Sequence, residues 1–176
     1  MTLEHLIPHR PPFRLIDTVL EQAPESVVAQ AVVDSNNVFF DASLNAVPSW
    51  TAIEYMAQTA AVWVGLHDAE KPGGESADID PSGEGGEQIR PAFLISARQL
   101  QVQQPSFALG ATLRIHVDVN FIDGPIVAFH GTIMQCVDGV EQRVCEGEFS
   151  AFRPDSLEEY LQASDPQRIA QAGQLA

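Results

Sequence analysis

Residues 49–66 read SWTAIEYMAQTAAVWVGL, and this stretch decides the fold of the chain. Most of these residues are good helix formers, and apolar side chains lie on nearly every side of the helix that they predict. A helix that is apolar all round is normally buried in its domain. A membrane span is disfavoured, because the run is barely long enough, contains Glu54, Gln58 and Thr59, and has no basic flank.

Glu54 is the one charged residue of this predicted helix. A glutamate is rarely fully buried without a partner or a chemical task. Burial disfavours the charged form, so a buried Glu54 could donate a proton near neutral pH. The alternative is that Glu54 lies near the helix start only because negative charge is favoured there.

Length and composition indicate one globular domain. The chain has 176 residues, and 45 % of them are apolar, which suits a single domain with a sizeable core. The net charge of −15 argues against nucleic acid or an acidic membrane surface as the main partner. The first residues do not resemble a signal peptide, so we expect a cytoplasmic protein.

The two cysteines fall in a predicted β-hairpin. Strands predicted over 126–137 and 140–152 flank Asp138-Gly139, a strong signal for a two-residue turn. Counting outward from the turn places Cys136 and Cys145 roughly 13 Å apart along the ladder, too far for a disulfide. Neither cysteine has a metal-type spacing, so we predict no metal site.

The rest of the chain is predicted to be mostly β-structure. Strands are expected over residues 13–19, 26–33, 92–102 and 111–119. The last of these alternates, with Leu113, Ile115, Val117 and Val119 on one face and Arg114, His116 and Asp118 on the other. A mobile acidic loop is predicted over 69–89, and a tail over 154–176 that contributes a short helix.

One long apolar helix with five or six antiparallel strands predicts an α+β hot-dog fold. In that fold a curved antiparallel sheet wraps around a central helix and covers most of its sides. The prediction is a single hot-dog domain over residues 1–153. Sheets of this type usually join edge to edge, so we expect a dimer.

Two strings of sequence give the chain a family resemblance. Residues 6–17 read LIPHRPPFRLID, and residues 48–58 read PSWTAIEYMAQ. Together they resemble the L-P-H-R-x-P-F-x-L-x-D and P-G-x-x-x-x-E-A-M-A-Q segments of the 3-hydroxyacyl-(acyl carrier protein) dehydratases of bacterial fatty-acid synthesis. The resemblance extends over roughly residues 3–153. Residues 59–65 look closer still to the dehydratase-like proteins of aryl-polyene biosynthesis clusters.

The resemblance implies roles for residues of the predicted helix. Glu54 matches the acid that protonates the departing 3-hydroxyl group. Ser49 matches a glycine whose N–H holds the thioester oxygen, a use that suits a helix N-terminus. Pro48 and Gln58 are further candidates for binding the oxyanion or the substrate. The substrate is then linked to acyl carrier protein, and no cofactor is implied.

The general base of the family is missing from its expected place. The resembling dehydratases carry it as the histidine of G-H-F-P-G, some fourteen residues before the glutamate, and this spacing leads to Phe40 here. Phenylalanine cannot accept a proton. No histidine lies between Arg10 and His67.

Three accounts of the base remain open. His9 could act as the base, although a structural role for it is favoured. A partner could supply a histidine in a hetero-dimer with a second hot-dog subunit, which is the account that we prefer; a homo-dimer is the alternative. The chain could instead bind acyl groups or stabilise a partner without catalysis. A hot-dog thioesterase, whose carboxylate activates water or attacks the thioester, is a further alternative.

Two arginines are candidates for docking an acidic carrier protein. Arg98 and Arg114 lie in predicted strands and could steer the carrier electrostatically. The alternative is that they are ordinary arginines of a strand surface.

Overall fold

A computed structural model describes residues 2–69, 92–137 and 140–154 of the chain. Except for Ala69 and Pro154, the loop expected at 69–89 and the tail expected at 154–176 lie outside the described residues. The strands are β1 (Thr18–Ala23), β2 (Ser26–Val32), β3 (Ala46–Pro48), β4 (Phe93–Val102), β5 (Ser106–Ala108), β6 (Thr112–Asp123), β7 (Ile126–Val137) and β8 (Val140–Phe152). Helix α1 spans Ala52–Ala69, and 3₁₀ turns span Leu3–His5 and Ser49–Thr51.

The described strands form one large antiparallel sheet and one small one. The large sheet has the order β1-β2-β6-β7-β8-β4, and β3 pairs with β5. Helix α1 packs on one face of the large sheet and contacts β2, β4, β6 and β7. This arrangement is the predicted α+β hot-dog fold.

The core lies between α1 and the inner face of the large sheet. The predicted alternation in β6 is confirmed, because Leu113, Ile115 and Val117 are buried while Arg114 and His116 are not. The inner face continues across the neighbouring strands with Phe129, Ile133, Cys145 and Phe149. Every second side chain of these strands thus faces α1, and together these side chains form an apolar surface that covers one side of the helix.

The predicted helix is confirmed, but one stripe along it is exposed to solvent. This stripe, formed by residues 50, 53, 54 and 57, is here called the open stripe. The 3₁₀ turn Ser49–Thr51 leads directly into α1. Trp50 is 62 % exposed, and Ile53, Glu54 and Ala57 are partly exposed, at the three- and four-residue spacing of one helix face. Among the described residues, no helix has the length and apolar character needed to cross a bilayer.

Residues 2–17, here called the N-terminal segment, cover part of α1. Their apolar residues Leu6, Ile7, Leu15 and Ile16 are buried in the core. The segment runs so close to the helix that a Cβ added at Gly65 would lie 2.6 Å from the carbonyl oxygen of Leu6. Gly65 therefore permits a close contact between the two backbones.

Arg10 holds the first turn of this segment together. Its guanidinium donates to the carbonyl oxygens of Glu4, Ile7 and His9 at 2.8–3.0 Å. Three charge-assisted bonds to backbone oxygens make Arg10 a structural residue of the segment.

The strand predicted over 13–19 is only partly correct. The first strand begins at Thr18, because the backbones of Phe13 and Leu15 bond to the side chain of Gln58 on α1 instead of to a neighbouring strand. The other predicted strands agree with the structure within a few residues at each end.

The two cysteines are separate thiols, as predicted. In the β7–β8 ladder Cys136 faces Glu141, and Cys145 faces Ile133. Cys136 is exposed, whereas Cys145 is buried, and burial raises the pKa of the Cys145 thiol to about 11.

We expect one thiol of the native chain to react with a maleimide at neutral pH. Cys136 is accessible, whereas Cys145 is shielded and remains protonated. Mass spectrometry should find one label in the native chain and two in the chain unfolded in denaturant. Cys136→Ser should leave the native chain unlabelled, and rapid labelling of that variant would contradict the assignment.

Candidate active site

Glu54 lies in the first turn of α1, on the open stripe of the helix. Its side chain is 38 % exposed, so the expectation that it is buried is wrong for the single chain. The reason is geometric: the N-terminal segment reaches Glu54 with His9 but leaves part of the carboxylate side chain exposed. Its Oε1 accepts a hydrogen bond from Gln58 Nε2 at 2.9 Å, across one turn of helix.

His9 is brought next to this carboxylate by the N-terminal segment. Its Nε2 lies 3.7 Å from Glu54 Oε1, and its side chain is 32 % exposed. The two residues are 45 positions apart in the sequence. Only the packing of the segment across α1 brings them together.

The second ring nitrogen of His9 has no hydrogen-bond partner among the described residues. Nδ1 is buried, and no described residue forms a hydrogen bond with it. A neutral imidazole carries its proton on one nitrogen only. A buried N–H without an acceptor is rarer than a buried lone pair without a donor, so of the two neutral tautomers the one with its proton on Nε2, facing Glu54, fits this environment. In this tautomer Nε2 is a donor and has no lone pair with which to remove a proton.

Gln58 joins α1 to the N-terminal segment through both ends of its amide. Nε2 donates to the carbonyl oxygen of Phe13 at 2.8 Å as well as to Glu54, and Oε1 accepts from the Leu15 N–H at 2.8 Å. The side chain is 1 % exposed. Because both amide N–H groups and the amide oxygen are engaged within the chain, Gln58 is poorly suited to the predicted binding of substrate.

Ser49 and Pro48 lie at the start of the helix, as predicted, but their backbone groups are engaged. The Ser49 N–H donates to the carbonyl oxygen of Pro105 at 3.0 Å. The Pro48 carbonyl oxygen accepts from Thr51 Oγ1 at 2.7 Å. In this conformation the Ser49 N–H is not free to hold an oxyanion, because it continues the pairing of β3 with β5.

Phe40 lies in a loop that is fixed to the core. It is half-buried against the core, and its N–H donates to the carbonyl oxygen of Asn37 at 2.9 Å. Asn37 Nδ2 in turn donates to Tyr55 Oη at 2.8 Å, and burial raises the pKa of Tyr55 to about 12. Next to Phe40, Phe39 packs edge-on against Trp50 with ring centroids 5.5 Å apart. Phe39 and Phe40 are therefore packed side chains, and neither can accept a proton.

The two docking candidates lie on the outer face of the sheet. Arg114 alternates with core residues in β6 and forms ion pairs with Glu21 and Glu141, the second at 3.8 Å. Arg98 on β4 lies opposite Glu148. Alternation along the strands turns both arginines away from α1, and the structure does not bring them together with Glu54.

The strand histidines also lie on the outer face. His116 lies 3.4 Å from Asp118, and His130 lies 3.4 Å from Glu146. Within residues 2–69, 92–137 and 140–154, no three His, Cys, Asp or Glu side chains are grouped so that they could hold a metal ion. His9 is therefore the one histidine that the described structure pairs with Glu54.

The sequence of the chain matches known proteins over most of its length. Residues 1–162 match the family model described as ApeP-like, ApeP dehydratase. A 3-hydroxyacyl-[acyl-carrier-protein] dehydratase FabZ of Anaeromyxobacter sp. (strain Fw109-5) is 31 % identical over 161 residues, which cover 89 % of this chain and 90 % of the relative. A FabZ of Roseiflexus castenholzii is 33 % identical over 147 residues, covering 81 % of this chain and 87 % of the relative.

Solved structures agree with the fold. The dehydratase heterocomplex ApeI:P from Xenorhabdus doucetiae contains a chain that superposes with a TM-score of 0.74 at 23 % identity, covering 94 % of this chain and 98 % of that one. The PaaI protein of E. coli superposes with a TM-score of 0.51 at 11 % identity, covering 77 % and 81 %. At these identities the structures support the fold alone. By its sequence match over most of its length, the chain belongs to the ApeP-like dehydratase family.

Proposed function

We propose that this chain is a subunit of a 3-hydroxyacyl-(acyl carrier protein) dehydratase that supplies the acid and takes the base from a partner. The observation that carries the proposal is the Glu54 carboxylate, held on the open stripe at the start of α1. By the spacing of the resembling dehydratases, the position of their histidine falls on Phe40, which cannot accept a proton. The substrate class is that of the FabZ relatives, a 3-hydroxyacyl thioester on a carrier protein.

The reaction divides two proton transfers between two groups. A histidine of the partner removes the proton from the α-carbon, and negative charge moves onto the thioester oxygen. The positive end of α1 stabilises that charge. Glu54 then protonates the 3-hydroxyl as its bond to carbon breaks. The α,β double bond forms, and water leaves.

An apolar sheet edge supports a hot-dog subunit as the partner. Strand β4 lies at one end of the large sheet. Five of its large apolar side chains are exposed in the single chain: Phe93, Leu94, Ile95, Leu100 and Val102. An exposed apolar edge strand is normally covered by another strand. The solved structure with a TM-score of 0.74 is itself a dehydratase heterocomplex, ApeI:P.

The proposal is tested by mixing the purified chain with a hot-dog protein chosen from its genomic neighbours and following dehydration of a 3-hydroxyacyl carrier protein. The mixture should form enoyl product at a rate that neither protein reaches alone. Release of a free thiol without enoyl product would indicate a thioesterase. Stabilisation of the partner with no dependence on Glu54 would indicate a non-catalytic subunit.

We expect His9→Ala to retain dehydration in the mixture within about tenfold of the wild-type rate. Loss of a general base costs roughly 10²–10⁴-fold. We expect a smaller loss of rate for His9→Ala, because His9 Nε2 faces Glu54 as a donor and Gln58 still bonds to the carboxylate in the variant. The rate of dehydration at saturating substrate is the measurement. Abolition of turnover by His9→Ala, in a chain that is active alone, would instead make His9 the base.

A further inference from the structure

We propose that Trp50 and Phe39 form a surface that contacts the apolar acyl chain of the substrate beside Glu54. Tyr55 and Asn37 are the positioning residues that fix this surface. The inference rests on the proposed acid role of Glu54, because the acyl group must then lie next to that carboxylate. It adds which residues of this chain recognise the carbon chain of the thioester.

Trp50 is a large apolar side chain exposed close to the acid. It lies four residues before Glu54 on the open stripe, and 62 % of it is exposed. Its ring meets Phe39 edge-on, with ring centroids 5.5 Å apart, and Phe39 is half-buried against the core. The pair is thus anchored at Phe39 and leaves most of the Trp50 ring open to a ligand.

The position of these rings suits the apolar part of a 3-hydroxyacyl thioester. Glu54 meets the 3-hydroxyl group in the proposed reaction, so the carbons that follow C3 begin at this carboxylate. Trp50 is one turn of helix away, about 5.4 Å along the axis, which those carbons can reach. Contact with an exposed aromatic ring removes apolar surface of both partners from water. Each methylene group buried in this way strengthens binding about fourfold.

Tyr55 departs from the dehydratase motif and is completely buried. The motif has alanine after the glutamate, in E-A-M-A-Q, whereas residues 54–58 of this chain read EYMAQ. The Tyr55 ring meets Phe107 of β5 edge-on at 6.2 Å between centroids. Its hydroxyl accepts a hydrogen bond from Asn37 Nδ2 at 2.8 Å. A residue adjacent to the acid in sequence therefore bonds to the loop that carries Phe39.

Asn37 connects this anchor to Phe39. While its Nδ2 donates to Tyr55, its Oδ1 accepts from the Phe39 N–H at 2.9 Å. Its own N–H donates to the Asp34 carboxylate at 3.0 Å. Because both ends of the Asn37 amide are bonded, the backbone at Phe39 has a fixed position, and the Trp50 ring packs against a fixed side chain.

The first test observes Trp50 directly and does not depend on turnover. The chain, which has two tryptophans, is labelled with 5-fluorotryptophan and studied by fluorine-19 NMR, alone and with the unlabelled partner. The probe is decanoyl-pantetheine, which has an acyl chain but no 3-hydroxyl group to lose. In the complex it should move the Trp50 resonance and leave that of the buried Trp63 in place. Trp50→Phe assigns the two resonances.

The second test compares two substrates that differ only in acyl length, 3-hydroxydecanoyl and 3-hydroxybutanoyl carrier protein. In the reconstituted pair, Trp50→Ala should raise KM for the decanoyl substrate about 10–100-fold and leave kcat within about twofold. KM for the butanoyl substrate should change little. Leu20→Ala is the matched control, since it truncates an exposed apolar side chain on the edge strand β1 and should alter neither KM.

The positioning role is tested by variants that leave the aromatic surface itself intact. Tyr55→Phe removes one hydroxyl and keeps the ring against Phe107. It should raise KM for the decanoyl substrate about 3–10-fold without lowering kcat. Asn37→Ala should have an effect at least as large, and the double variant should be no worse than Asn37→Ala, because both act through one hydrogen bond. A purely structural role would slow both substrates equally.

Two results would overturn the acyl surface. One is an equal effect of Trp50→Ala on the two substrates. The other is a Trp50 resonance that moves when the partner is added but not when decanoyl-pantetheine follows, which would make Trp50 a partner contact. Turnover that is insensitive to Glu54→Gln would refute the proposed function, while the NMR response to the probe would still establish acyl binding at Trp50.

Discussion

Glu54→Gln should reduce dehydration by the reconstituted pair roughly 10²–10⁴-fold, the contribution of a positioned general acid. Glutamine keeps the length of the side chain and an oxygen that can accept from Gln58 Nε2, so the contact between the two residues survives. What is lost is the proton for the departing hydroxyl. The effect should appear in kcat, because the acid acts when the bond to the 3-hydroxyl breaks.

Glu148→Gln is the control for this substitution. It alters a carboxylate of β8 on the outer face of the sheet, opposite Arg98, and should leave turnover unchanged. Size-exclusion chromatography should show both variants in the same complex as the wild type. Full activity of Glu54→Gln in an intact complex would exclude Glu54 as the acid.

Phe129→Ala should lower the free energy of unfolding of the isolated chain by about 3–5 kcal/mol. Phe129 is 1 % exposed and lies on β7, where the sheet meets α1. Its ring stacks on Phe149 at 5.3 Å between centroids and meets the edge of Trp63 at 6.0 Å. Removing the ring loses both contacts and leaves a cavity that the surrounding helix and sheet cannot fully close.

Denaturant unfolding at several protein concentrations measures this effect. Phe121→Ala is the matched control, because it removes the same side chain from β6 at a position that is 56 % exposed. It should change the free energy of unfolding by less than about 1 kcal/mol. Equal decreases in the free energy of unfolding of the two variants would show that the core is not centred on the contact between β7 and α1.

The elements that the sequence predicts well are those with local signals. The long apolar helix needs cover wherever it lies, and the predicted antiparallel strands indicate that a sheet supplies it. The Asp138-Gly139 dipeptide predicts the pairing of β7 with β8, and the structure has Cys136 opposite Glu141 as counted from the sequence. Alternation in β6 likewise identifies its core face, because a strand points successive side chains to opposite sides.

The strand predicted over 13–19 shows where local signals fail. Its composition suits a strand, but a strand also needs a neighbouring backbone with which to pair. Here Phe13 and Leu15 bond to the side chain of Gln58, which lies more than forty residues away. No local sequence pattern predicts that a distant side chain will take the backbone hydrogen bonds that a neighbouring strand would otherwise make.

For the candidate site, the sequence by itself identified the Glu54 carboxylate and the family that the chain resembles. It also predicted that Phe40 occupies the position of the family's histidine base. The tertiary structure decided how Glu54 is held. His9 meets its Oε1 only because the N-terminal segment crosses α1 at a glycine small enough to admit it. Gln58 reaches the same oxygen from one turn along α1, and its amide also bonds to the segment. Residue type and spacing reveal which groups a chain carries, whereas the distance between groups far apart in sequence depends on how the elements pack.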